Sequence, residues 1–212
     1  LNNMTYGIRT GETVLLTAQE GVGKTELMHA IEYSILKEKP DDEIGAIFLE
    51  EPKRRHLQAV AGLELSRPVH LPDSGVSDQE IFDALQKVVV RDERLHVYSH
   101  FGSDDPESLL DVVRYLVGAR GVRYVLFDHI TMAVSGLAGE DERRALDYLS
   151  TRLEMMVKEL DFALILVSHV NDDGKTRGSR YIGKIADIRI DITRDVQNAD
   201  PVLRNTTNLV VS

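Results

Sequence analysis

Five apolar runs of five to eight residues, separated by amphipathic segments of helical length, constrain the fold of this chain more than any other feature. The runs are Thr13–Ala18, Ile44–Leu49, Leu95–Ser99, Tyr124–Asp128 and Phe162–His169. They are rich in β-branched, leucine and aromatic residues and nearly unbroken, which is how strands covered on both faces read. Between them, Lys24–Lys37 places Leu27, Ile31 and Ile35 at i, i+4 spacing and meets a stop at Pro40. Ser77–Val90 sets Ile81, Leu85 and Val88 on one face, and Ser108–Val117 follows a cap at Asp104 or Asp105 with Pro106 in the first turn. Glu140–Leu160 carries a stripe of Leu146, Leu149, Leu153, Met156 and Leu160. Strands joined by such segments imply right-handed βαβ units. The expected fold is α/β, a mainly parallel twisted sheet flanked by helices. After His169 a polar loop runs to about Arg180, followed by a short helix. Arg189–Thr193 and Asn208–Ser212 then predict a C-terminal antiparallel hairpin across the turn-rich QNADPV. One domain over residues 1–212 is expected.

Directly between the first run and the first helix stands AQEGVGKT, Ala18 to Thr25. Strand, glycine-rich turn and helix in that order form the context of a phosphate-binding loop. Its residues are Ala18, Gln19, Glu20, Gly21, Val22, Gly23, Lys24 and Thr25, with Ala18 where the strict pattern has glycine. Gly21 and Gly23 let successive N–H groups turn inward as an anion nest at a helix N-terminus. Lys24 would reach the β- and γ-phosphates, and the Thr25 hydroxyl would ligate Mg²⁺. Asp128, closing an apolar run, would project at the same sheet edge as a second Mg²⁺ ligand. Glu50 and Glu51 end the second run, where a carboxylate can polarise attacking water; a solvated acidic pair is the bland alternative. Glu50 is the choice because it directly follows Leu49. His169 reads either as a satisfied structural histidine or as a group that feels the γ-phosphate. His96 and His100 bracket a strand without acidic partners at metal-like spacing and are assigned nothing. Lys53–Arg55 reads as a solvated helix start.

Ordered as GKT, EE, DH and SH, these strand ends resemble the RecA-type P-loop core of replicative DNA helicases. The likeness is greatest to the helicase domains of phage primase–helicases and mitochondrial Twinkle, and more distant to DnaB. It extends from GIRTGE to NLVVS and includes VLFDHITMAVSG, the stretch GEDERRALDYLSTRLEMMVKELDFALILVSHV and TRGSRYIGKIADIRIDITRD. The resemblance implies an NTPase using ATP or dTTP with Mg²⁺, with Lys24, Glu50 and His169 catalytic and Thr25 and Asp128 at the metal. It also implies Arg194 near the base, and Asn171, Lys175 and Arg177 near a single-stranded DNA path. The implied partners are single-stranded DNA, further copies of the chain in a hexameric ring, primase and polymerase, in the cytoplasm of a bacterial or phage-infected cell. An arginine finger would follow Ser212 and a helical linker would precede Leu1. A finger is worth about 10³–10⁵ in rate in related systems, so the 212-residue chain is expected to be a weak ATPase. The same motifs also serve RecA/RadA-like recombinases and KaiC-like signalling ATPases.

Composition bears on what is left. With no cysteine, the chain cannot be a disulfide scaffold, a thiolate zinc or iron–sulfur protein, or a thiol nucleophile. No apolar run approaches the length of a membrane span and the chain does not open as a signal peptide, so a soluble protein is expected. The net charge is −10, yet Gly174–Ala186 contains Lys175, Arg177, Arg180 and Lys184 and no acid. An acidic average therefore excludes nucleic acid bound across the whole surface, not along one basic segment.

Overall fold

The computed structural model describes residues 2–19, 21–90, 93–99, 105–137, 140–169 and 182–212. Its strands are β1 (Thr13–Ala18), β2 (Glu43–Phe48), β3 (Leu95–Ser99), β4 (Val122–Asp128), β5 (Ala163–His169), β6 (Ile188–Arg194) and β7 (Thr207–Val211). They form one sheet in the order β3-β2-β4-β5-β1-β6-β7. Every pairing is parallel except β6 with β7, which is antiparallel as the sequence implies. All six residues of β1 are buried, so the unbroken apolar run reports burial on both faces.

The period of two along each strand divides the core into two layers. On one face Val14, Leu16, Leu126, Ile165 and Val167 pack beneath α2 (Lys24–Glu38) through Met28, Ile31 and Ile35. On the other, Leu15, Val125, Phe127, Leu164 and Leu166 meet Leu110 and Val113 of α5 (Pro106–Arg120) and Leu149, Leu153 and Met156 of α7 (Glu140–Leu160). Asp105 caps α5 by accepting from the Ser108 N–H at 3.3 Å. Two one-turn helices, α1 (Asn2–Thr5) and α6 (Ile130–Ala133), precede β1 and follow β4. Among the described residues no helix is long and apolar enough to cross a membrane.

The helix start expected at Lys53–Arg55 is observed, and it opens a full helix, α3 (Lys53–Leu65), whose buried face is His56, Val60 and Ala61. That face lacks large aliphatics, so its periodicity is faint in the sequence. The helix expected over Ser77–Val90 is α-helical only through α4 (Asp78–Leu85) and winds wider over Gln86–Val90. Three consecutive valines there carry β-branched side chains that crowd an α-helical turn. Within the hairpin connection, Asp200 caps a one-turn helix at Pro201–Arg204 by accepting from the Val202 N–H at 2.8 Å.

Outside the cleft, Glu64 ties α3 to α2 and to the winding that follows α4. Its carboxylate accepts from Tyr33 Oη at 2.7 Å and from Lys37 Nζ at 3.1 Å, and it also pairs with Lys87. Burial pushes the carboxyl up, but these donors outweigh it and hold the pKa at about 2. A carboxylate depressed on folding gives stability that is full above its ordinary value of 4.5 and is lost as pH falls through about 2. Glu64→Gln should cost about 1–2 kcal/mol at pH 7, with the difference from the parent shrinking below pH 4. Urea unfolding at the two pH values checks this.

Candidate functional site

Parallel register brings the strand ends together. The Cα of Ala18 in β1 pairs with that of His169 in β5, and Phe48 in β2 pairs with Asp128 in β4. A cleft of about 480 Å³ opens at this edge, lined by Gly21, Gly23, Lys24, Thr25, Glu50, Asp128 and His129 among others. A second hollow of about 560 Å³ lies between Tyr6–Arg9 and α2, but no strand-end acid reaches it.

The loop between β1 and α2 owes its shape to two glycines. Gly23 caps α2 at φ 100° and ψ 30°, and Gly21 stands at φ 74°. A Cβ at either position would meet nothing within 4 Å, so glycine is required for its dihedral angles rather than for room. Lys24 is 6% exposed, and its Nζ donates to the carbonyls of Gln19 at 2.8 Å and Ala18 at 3.3 Å. One residue on, Thr25 Oγ1 donates to Asp128 Oδ2 at 2.6 Å, linking the first turn of α2 to the end of β4. Burial raises the Asp128 carboxyl above its usual range, against the lowering effects of Thr25 and His129. A hydroxyl and a buried carboxylate oxygen side by side are a hard donor set that suits Mg²⁺.

Glu50 and Glu51 point apart. Glu50 is more than half exposed and turns into the cleft, where its Oε1 lies 3.1 Å from His129 Nε2. His129 Nδ1 accepts from the Met132 N–H at 3.2 Å, so Nε2 carries the hydrogen on the side that faces Glu50. The Asp128–His129 peptide bond that leads into this histidine is cis. Glu51 turns inward to His29 of α2 and His56 of α3, with its Oε2 at 2.8 Å from His29 Nε2 and 3.7 Å from His56 Nδ1. Burial works against the Glu51 charge, but the two histidines outweigh it and hold the pKa at about 2. Burial likewise opposes the charge on His56, and the carboxylates of Glu32 and Glu51 overcome it, raising the pKa to about 9.

Not all of the sequence-predicted residues meet. Arg194 ends β6 beside β1, but its guanidinium donates to Arg204 O at 2.8 Å and Asn205 Oδ1 at 2.7 Å, and it does not line the cleft. Glu20, Asn171, Lys175 and Arg177 lie outside the described residues. His96, which shows no acidic partner in the sequence, faces Glu43 of the neighbouring strand at 2.5 Å. The position of His129 after Asp128 was the signal for its place in the cleft. His29 and His56 gave none, because they sit on separate helices and meet only in the fold.

Residues 1–203 match the DnaB-like helicase C terminal domain. The chain belongs to that family. Over 220 aligned residues, 96% of its length, it is 26% identical to a DNA helicase/primase of Enterobacteria phage T3, of which it spans 39%. Among solved structures it is similar to the ATPase domain of G40P, at a TM-score of 0.73 and 17% identity over 99% of this chain and 84% of that one. A DnaB-like replicative helicase studied with its primase interactions gives 0.76 and 17%, over 99% of this chain and 58% of that one. A KaiC-like protein from the archaeon Pyrococcus horikoshii OT3 gives 0.61 and 20%, over 97% and 79%. At such identities these structures speak for the fold, a RecA-like sheet shared by all three.

The opposed glutamates predict opposite costs of substitution. Glu51→Gln should lower stability by about 2–3 kcal/mol, because two buried imidazoles lose their shared carboxylate. Glu50→Gln should stay within about 0.5 kcal/mol of the parent. Denaturant titration of the two variants compares them.

Proposed function

We propose that this chain is the nucleotide-hydrolysing core of a ring-shaped replicative DNA helicase, moving on single-stranded DNA and opening duplex at a fork. The observation that carries the reading is the convergence of Lys24, Thr25, Asp128 and Glu50 on one cleft in a member of the DnaB-like family. The fold shared with the KaiC-like protein is compatible with a signalling ATPase, but the family match favours the helicase.

ATP or dTTP binds with its phosphates in the nest of N–H groups from Gly21 to Thr25, at the start of α2. Lys24 exchanges the carbonyls of Ala18 and Gln19 for the β- and γ-phosphate oxygens. Thr25 and Asp128 would hold Mg²⁺, which when bound neutralises charge on the phosphates. Glu50, oriented by the His129 N–H, positions water for in-line attack and accepts its proton. His169, beside Ala18 at the end of β5, senses the γ-phosphate and passes its loss to the loop that follows. The segment after His169 contains Asn171, Lys175 and Arg177, which we assign to the DNA strand. Arg194, one strand over from the phosphate loop, is assigned to the base side. Catalysis is positioning and charge stabilisation rather than covalent chemistry. The working form is a homo-oligomer, a hexameric ring, that cooperates with primase and polymerase in the cytoplasm of a bacterial or phage-infected cell. Only part of the phage relative's length is covered, so these assemblies concern the intact protein.

Two measurements test the reading. Glu50→Gln should lower the hydrolysis rate at least 10²-fold while nucleotide affinity stays within a few fold; equal loss of both would remove Glu50 from the chemistry. In the intact protein, single-strand affinity should fall steeply between 50 and 200 mM salt, and Lys175→Ala should make that slope shallower. Binding that ignores salt, or no binding at all, would point to an ATPase that does not act on DNA.

A further inference from the structure

Beneath the proposed cleft, on the side of β2's end away from the phosphates, lies a buried polar cluster that the hydrolytic reading does not use. We propose that His29, Glu51 and His56 form a binding site for a transition-metal dication of the zinc class, separate from the Mg²⁺ site. The three ligand atoms come from α2, from the turn after β2 and from α3, and lie within 4.8 Å of one another. Tetrahedral zinc with bonds of about 2.0–2.1 Å needs ligands about 3.3 Å apart. The separations of Glu51 Oε2 from His29 Nε2, 2.8 Å, and from His56 Nδ1, 3.7 Å, fall on either side of that value.

The surroundings orient the rings for this purpose. His56 Nε2 faces Glu32 Oε1 at 3.1 Å, and both side chains are fully buried. Glu32 holds Nε2, which turns Nδ1 toward Glu51. The two atoms stand 3.7 Å apart, too far for a hydrogen bond, and His56 Nδ1 has no hydrogen-bond partner among the described residues. A dication there would bind both atoms and release the proton that Nδ1 carries in the metal-free imidazolium. The carboxylate behind the histidine is the outer-shell partner that metal-binding imidazoles ordinarily have. Phe48 stacks on His29 at 5.3 Å and meets the edge of His56 at 4.4 Å, holding both rings in place. Glu51 is the one ligand with some exposure, 13%, and marks the side from which a water completes the coordination. Two nitrogens and one oxygen select zinc, cobalt or nickel over Mg²⁺, which prefers oxygen alone. A metal here would clamp the turn that carries Glu50 to the helix that carries Thr25.

The test uses the full 212-residue chain without tag histidines, stripped with chelator and given one equivalent of Zn²⁺ in the absence of nucleotide. After gel filtration, elemental analysis should find close to one zinc per chain. His56→Gln should lose at least nine-tenths of it, Glu32→Gln should weaken affinity about 10–100-fold, and His96→Gln should retain it. Zinc-edge X-ray absorption of the unsubstituted chain, which depends on no variant folding, should show two imidazoles in the coordination shell. A chain that retains no zinc, as when a second proton on His56 fills the gap, would overturn the proposal. So would an oxygen-only shell, or full retention by a folded His56→Gln.

Discussion

A parallel strand buried on both faces and bonded on both edges can present chemistry only at its ends. β1, β2, β4 and β5 all meet that condition, and their common direction brings their C-terminal ends to one edge of the sheet. The interior of each strand is then free to be aliphatic, and the residues just past it carry the polar work. Gly21, Lys24, Thr25, Glu50 and Asp128 are neighbours for this reason alone, though they span more than a hundred positions of the chain.

The hydrogen bond between Thr25 and Asp128 is the point at which the two halves of the cleft are joined. Together with the nearby His129 it offsets the burial of the Asp128 carboxylate, and it sets a hydroxyl and a carboxylate oxygen side by side. The chain belongs to the DnaB-like family, and a similar sheet occurs in the KaiC-like protein, so the fold by itself does not set the function.

Much of the molecule is legible in the residues. Unbroken apolar runs report strands covered on both faces, and the loop from Ala18 to Thr25 announces itself through glycines at left-handed angles. Of the adjacent pair Glu50 and Glu51, the residue next to the strand end faces the cleft and its neighbour turns under it. What the sequence hides depends on contacts between distant segments. α3 is faint because its buried face spends a position on His56 rather than leucine, and the His29–Glu51–His56 contact joins residues whose spacing carries no period. Arg194 shows the converse: its strand was legible, but its guanidinium is engaged by a turn whose structure no local pattern announced.

One rigid rod, α2, carries both the cleft-lining Lys24 and Thr25 and one member of the buried cluster, His29. Thr25 stands in its first turn, and His29 lies one turn further along. An α-helix rotates about 100° for each residue, so inserting one amino acid between them would swing His29 off the face it shares with Glu51 while leaving Thr25 in place. The interval of four positions is thereby locked. Point substitutions can vary the two sites separately, whereas changes of length in that turn cannot be accepted without dismantling one of them.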